Sequence, residues 1–306
     1  MNYKTKIKLR KFAETNKAFL KIYQKASKIK IKFKENMSDE EFIKEKYKES
    51  MGKELDLVNP TTYNEKLQWL KINDRNPLYT KLVDKYAVRE YVSEKVGEEY
   101  LIPIIGVWEN FDDIDISKLP NQFVFKCNHD CGSIIICKDK KTFDFDEART
   151  KLNRALKHNY FYVGREWPYK NVPPKIVAEK YMEDESDREL KDYKIFCFNG
   201  VAKFLFVASD RLDPKTETKF DFFDMEFNHL PIKHGHPNAT KEIKRPENLE
   251  EMKNIAEKLS KDIPHVRVDL YNIKGKIYFG EMTFYHWGGM MPFEPEAWDY
   301  KIGDLI

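Results

Sequence analysis

The chain has 306 residues, 41% of them hydrophobic and 34% charged. That is a globular composition with room for one large domain or two to three smaller ones, and it excludes a disordered chain. No run of about 18 apolar residues predicts a transmembrane helix, and the basic N-terminus lacks the apolar core of a secretory signal.

The net charge of +3 is unevenly spread: residues 1–34 hold twelve Lys/Arg and one acidic residue, Glu14. The remainder is net acidic. Phe12, Phe19, Leu20, Ile22 and Tyr23 would give a helical arm an apolar side. Such an arm is either a solvated helix or a surface for anionic lipid or a polyanionic substrate. The positive charge lies in one tail, not in a stripe interleaved with stacking aromatics, so no nucleic-acid partner is expected.

Residues 39–98 read as helices. Thr62 is placed to cap the one carrying Leu67, Trp69, Leu70 and Ile72. A second helix is expected through Leu78, Leu82, Val83, Tyr86, Val88 and Tyr91, ending near Gly97. Pro103 and Gly106 mark a change of period. From residue 121 strands dominate: 122–127 and 134–137, then a helix at about 146–158, then a strand at 176–181. An acidic loop follows over 183–189. Strands 193–198 and 201–208 flank Asn199-Gly200, a strong hairpin signal. After a helix at about 247–261, strands 265–272 and 276–284 are joined by Lys274-Gly275. The order predicts an α+β fold. Cys127, Cys137 and Cys197 sit in apolar runs and read as core residues. With Cys131, they lack the spacing of paired zinc knuckles, and a reducing cytoplasm is the expected setting.

Charge at strand ends carries the chemical signal. Lys126 ends an apolar strand and meets a polar loop, Asn128-His129-Asp130-Cys131-Gly132-Ser133, whose backbone N–H groups could cradle phosphate; a lysine snorkelling to water is the alternative. Arg267, Asp269, Glu281 and Thr283 lie on the last two strands, and alternation allows Asp269 and Glu281 to face each other. Opposed carboxylates beside a hydroxyl suit Mg²⁺, and Arg267 is placed for an anion; a charged, solvent-facing hairpin is the alternative. Glu179, Lys180 and Tyr181 break an apolar strand as a hinge for an adenine edge would. Asp192 could meet a ribose, and Lys194 shares its face.

The ordered set resembles the ATP-grasp superfamily, and within it the TupA-like branch of bacterial polysaccharide and teichuronopeptide biosynthesis. The stretches that carry the resemblance are Asn59-Pro60-Thr61-Thr62-Tyr63-Asn64-Glu65-Lys66-Leu67, Leu82-Val83-Asp84-Lys85, Phe125-Lys126-Cys127-Asn128-His129, the segment from Asp192 to Gly200, Arg267-Val268-Asp269, and the segment from Phe279 to Phe284. The resemblance implies two α+β subdomains whose antiparallel sheets grip ATP, preceded by a helical region. The expected boundaries are an arm at 1–36, helices at 37–117, a small subdomain at 118–174 and a large one at 175–306.

It also implies roles. Lys85, Lys126, Asn128, Gly132 and Ser133 would hold phosphates. Glu179, Lys180 and Tyr181 would form the adenine hinge, and Asp192 would meet the ribose. Asp269, Glu281 and Thr283 would bind Mg²⁺, while Arg267 and Lys194 would act on the reacting phosphate. Thr283 departs from the Asn of many ATP-grasp enzymes. The implied reaction joins a carboxylate-bearing glycan or peptide to an amine at the cost of ATP. His129, Arg211, Lys219, His234, His236, Arg245, His286 and Gly288-Gly289 are candidates for the acceptor side. A nucleotide-sugar glycosyltransferase using Asp221 and Asp224, and a non-catalytic polyanion-binding module, are the competing readings.

Overall fold

The computed structural model describes residues 36–183, 191–210 and 217–306. The basic arm apart from Asn36, most of the acidic loop and Arg211 lie outside the described residues.

The described residues open with four helices: α1 (Asp39–Met51), α2 (Tyr63–Asn73), α3 (Leu78–Val83) and α4 (Val88–Lys95). Thr62 caps α2 in a reciprocal box with Glu65, which satisfies two N–H groups left over at the helix start. The single helix expected through 78–97 is broken in two. The Asp84 carboxylate accepts from the backbone of Tyr86 and Ala87, and the Lys85 N–H donates to Asn128 O at 3.0 Å. This side chain-to-backbone competition stops α3 and brings Lys85 to the polar loop.

The first sheet has the order β1-β4-β2-β3, made of β1 (Ile104–Trp108), β2 (Phe123–Cys127), β3 (Ile135–Cys137) and β4 (Ile176–Lys180), all neighbours antiparallel. Phe123, Phe125 and Cys127 alternate inward and pack with Ile176, Ala178 and with Ala148 and Leu152 of α5 (Phe145–Leu156). The sheet therefore runs from residue 104 to 180 and exceeds the expected 118–174. Half-buried β1, interrupted by Gly106, lacks a strand-like alternation, and its pairing with β4 draws both into this layer.

A short helix α6 (Phe161–Gly164) precedes β4. The second sheet has the order β11-β10-β5-β6-β7-β8. Its strands are β5 (Asp192–Phe198), β6 (Val201–Ser209), β7 (Lys219–Asp224), β8 (His229–Leu230), β10 (His265–Ile273) and β11 (Lys276–Thr283), while β9 (Lys233–His234) pairs with β12 (Phe293–Glu294). Asn199-Gly200 and Lys274-Gly275 turn with φ of 49°, 78°, 52° and 81°, the left-handed pair that a two-residue hairpin needs. Val266, Val268 and Leu270 share a core with Leu249, Met252 and Leu259 of α7 (Leu249–Leu259) and with Tyr63, Leu67, Leu82 and Val92 of the opening helices. The helix α8 (Ala297–Gly303) closes the chain against α2: Asp299 accepts from the backbone and side chain of Asn64 at 3.0 and 2.9 Å. Among the described residues no helix is long and apolar enough to cross a membrane.

Candidate active site

Alternation on β2 and β4 buries one face and turns Val124, Lys126 and Glu179 to the other. Glu179 is buried, and its carboxylate meets Lys126 Nζ at 2.6 Å and Arg89 at 3.8 Å. These side chains line a cavity of about 370 Å³ between the two sheets. Its walls include Ile102, Val124, Ile136 and Phe279, and its rim includes Lys180, Tyr181 and Met182. An apolar slot with a few convergent polar groups suits a flat heteroaromatic ring.

Farther along β11 lies the charged cluster. Asp269 pairs directly with Glu281 on one side and with Lys194 on the other. Arg267 grips Asp269 with two parallel bonds, Nε to Oδ1 at 2.6 Å and Nη2 to Oδ2 at 2.7 Å. Lys194 bridges Asp269 and Asp192, the latter at 2.6 Å. Arg267 Nη2 also donates to Thr283 Oγ1 at 3.0 Å, and Thr283 donates to Glu281 at 3.3 Å. Arg267 Nη1 donates to His286 Nδ1. His286 stays neutral, because burial first and Arg267 second hold its pKa well down.

Glu281 differs from Asp269. Its side chain is 37% exposed, with Lys85 at 3.8 Å and Arg267 at 3.5 Å. Burial pushes its carboxyl up, but Lys85, Lys194, Arg267 and Lys126 together outweigh that and hold it at about 2. It is therefore an ionised, accessible oxygen donor among cations. Asp269, Glu281 and Thr283 offer oxygen only, which fits Mg²⁺. That ion commonly uses one or two carboxylates and completes its shell with water and phosphate. No group of three His, Cys, Asp or Glu converges among the described residues.

The polar loop joins this cluster to β2. Lys85 Nζ donates to Asp130 O at 2.6 Å, and Ser133 Oγ accepts from Cys127 N at 2.8 Å and donates to Asp130 at 2.5 Å. Gly132 has φ 109° and open space where a Cβ would stand. Asn128 is not turned to the cleft. Its amide donates to Pro173 O and accepts from Lys175 N, and it is fully buried; it staples β2 to the approach to β4.

Of the acceptor-side candidates among the described residues, only His286 touches the cluster. His129 bonds Ala155 O and His158 O, His234 stacks on Phe293, and Arg245 pairs with Glu250 at the surface. Lys219 opens β7. His236 lies against Phe220 and Trp287. Gly288-Gly289 is bound to α2 through Gln68 Nε2 at 3.0 and 2.7 Å. Asp221 accepts from Ala239 N and faces His229, while Asp224 closes a turn onto Asn228. Three residues apart on one strand, Asp221 and Asp224 point to opposite faces and do not form a metal pair. Arg89, Lys71 and Glu166 were not singled out in the sequence. Lys71 carried a signal, since it falls on the Tyr63-Leu67 stripe of α2.

Two antiparallel sheets closing on an apolar slot and a lysine–arginine–carboxylate cluster are the architecture of an ATP-grasp protein. The chain belongs to the TupA-like ATPgrasp family, whose model matches residues 65–306. Similar solved structures include D-alanine–D-alanine ligase from Bacillus anthracis complexed with ATP (15% identity, TM-score 0.40, 67% of this chain and 54% of that one). L-amino acid ligase from Bacillus licheniformis is another (15%, 0.46, 74% and 49%). A third is D-alanine–D-alanine ligase from Helicobacter pylori (14%, 0.43, 81% and 70%). The chain spans about half the length of the first two. A search of curated proteins gives no match.

Proposed function

We propose that this chain is an ATP- and Mg²⁺-dependent carboxylate–amine ligase that works through an acyl phosphate and modifies a uronic acid or other acidic group in cell-surface polysaccharide biosynthesis. The observation that carries the proposal is Glu281: an accessible, acidified carboxylate ringed by Lys85, Lys126, Lys194 and Arg267, on the same strand as the slot-lining Phe279. Family membership supports the ATP-dependent chemistry; the glycan setting rests on the TupA-like resemblance.

A carboxylate is a poor electrophile, so it is converted to an acyl phosphate before an amine displaces phosphate through an anionic tetrahedral intermediate. The protein's part is positioning and charge stabilisation. The slot and the Glu179–Tyr181 edge hold the base, and Asp192 is placed for a ribose hydroxyl. Lys85, Lys126 and Lys194 neutralise phosphate oxygens, and Arg267, fixed by Asp269 and His286, presents its guanidinium to the developing anion. Asp269, Glu281 and Thr283 would hold Mg²⁺, which would supply further charge neutralisation when bound. The Gly132 loop lies where it can shield the acyl phosphate from water.

Ligand binding to the native state raises the melting temperature. Mg²⁺ with ATP is expected to stabilise the wild type, UDP-sugars are not, and Glu281→Ala should lose the Mg-dependent part. A shift with a UDP-sugar and none with ATP overturns the proposal.

A further inference from the structure

Beyond the C-terminal end of β11, a second polar group stands apart from the cluster. Arg165 has φ 54° and is drawn outward, its guanidinium 4.7 Å from the Phe42 ring and 5.0 Å from that of Phe161. That sharp turn sends the next residue, Glu166, inward, where it is 8% exposed. Among the described residues no donor reaches its carboxylate. Two cations act on it without bonding it: Lys46 donates to Val163 O, and Lys71 has its three hydrogens committed to Gln68 Oε1, Gly164 O and Gly288 O at 2.9, 3.0 and 2.8 Å. An ammonium has only three to give. The hydroxyls of Tyr160, Tyr169 and Tyr285 also carry no hydrogen bond among the described residues, and each feels the charge of Glu166.

A buried carboxylate without a donor is costly, and such groups concentrate where a ligand completes them. The recess adjoins the cluster. Burial is the main cause that pushes Glu166 up; the charges of Lys71 and Lys46 oppose it, and that of Glu281 adds a smaller push. Gly288 stands five residues after Thr283, its Cβ position 3.5 Å from Glu166 Oε1. Along β11 and its continuation the order is therefore apolar slot, charged cluster, recess. On the ligase reading, a nucleotide seated in the slot with its phosphates at the cluster would direct its terminal phosphate toward this end.

Resting on the ligase reading, we infer that Glu166 is the specificity-determining anchor for a primary ammonium group on the substrate that meets the activated carboxylate, with the Tyr160, Tyr169 and Tyr285 hydroxyls beside it. The ammonium supplies the three donors that the recess lacks, and a neutral hydroxyl in its place supplies one.

The test uses the full chain saturated with Mg²⁺ and a non-hydrolysable ATP analogue. Alanine, ethanolamine and glucosamine are titrated against lactate, ethylene glycol and glucose, for wild type and Glu166→Gln. At least one ammonium probe is expected to bind the wild type at least tenfold more tightly than its hydroxyl counterpart, and Glu166→Gln should remove that preference. The nucleotide-induced shift should be the same in both proteins. Without ligands, Glu166→Gln should melt at the same temperature or higher, because an unpaired buried charge is gone.

Equal binding of the ammonium probe by both proteins overturns the inference. So does a wild type that binds nucleotide but none of the ammonium probes, or a ligand-free Glu166→Gln that melts several degrees lower, which would make Glu166 a fold-holding residue. Failure of the wild type to bind the nucleotide sinks the ligase reading, and with it this inference.

Discussion

Asp269 and Glu281 are neighbours on paired strands, yet the structure gives them different work. Asp269 is 1% exposed and gripped by Arg267 and Lys194; Glu281 reaches the cleft. Removing one partner of a buried pair leaves the other charge uncompensated, so Asp269→Ala should lose about 3–5 kcal/mol of stability. Urea unfolding would show it as a lower midpoint, and a loss below about 1 kcal/mol would mean that Arg267 finds another partner. Thr283 fits the same picture. Its hydroxyl links Arg267 to Glu281, so its oxygen is aligned with the carboxylate.

At the scale of elements, α2 is the part that joins everything. Its Thr62–Glu65 box starts it, Tyr63 donates to His265 Nε2 at 2.9 Å, and Gln68 and Lys71 hold the Gly288-Gly289 segment. Both glycines have φ 62°, and a Cβ on Gly289 would stand 2.4 Å from Gln68 Nε2 and 2.9 Å from Leu67 Cβ. Gly289→Ala therefore combines a left-handed strain with an overpacked contact, and should cost about 1–3 kcal/mol. It should also weaken substrate binding more than nucleotide binding, since the recess lies at this end. Calorimetric titrations of the variant with nucleotide and with the ammonium probes check this; equal losses for both would place the damage in the whole cleft.

For the whole molecule, the core joins opening helices and large sheet around buried, neutral histidines. Burial holds both His234 and His265 at about 3. His265 is bonded at Nδ1 to Cys197 O, which puts a proton on Nδ1, and in the neutral ring that burial favours its Nε2 accepts from the Tyr63 hydroxyl. Because these folded pKa values lie below the unfolded value near 6.5, the unfolded chain takes up protons first as pH falls. Stability is full above about pH 6.5 and declines down to about 3, by about 1.4 kcal/mol per pH unit for each histidine. Urea midpoints at pH 7 and pH 5 should differ accordingly, and His234→Gln should show a shallower dependence. A flat profile would mean that both rings are solvated in the native state.

The sequence by itself determined what local chemistry can encode. The Thr62 cap, the two left-handed hairpin turns and the shared faces of Arg267 with Asp269 and of Glu281 with Thr283 were legible, because each depends on residues a few positions apart. Comparable distances from a tight turn suggested that Asp269 and Glu281 oppose each other, but regular pairing would set Asp269 against Gly280; the register shift between Asp269 and Leu270 is what brings Glu281 opposite. Tertiary structure alone decided the rest. The break within 78–97 needed both the local Asp84 carboxylate, which stops α3, and Asn128, some forty residues away, which takes the Lys85 N–H in the fold. The membership of β1 in the first sheet depended on its pairing with β4, which a half-buried strand does not announce. Asn128 looked like a phosphate ligand and became a staple, because its amide meets Pro173 and Lys175 only in the folded chain. Glu166 gave no signal at all, since burial without a partner is a property of what surrounds a residue in space and not of the residues beside it in the chain.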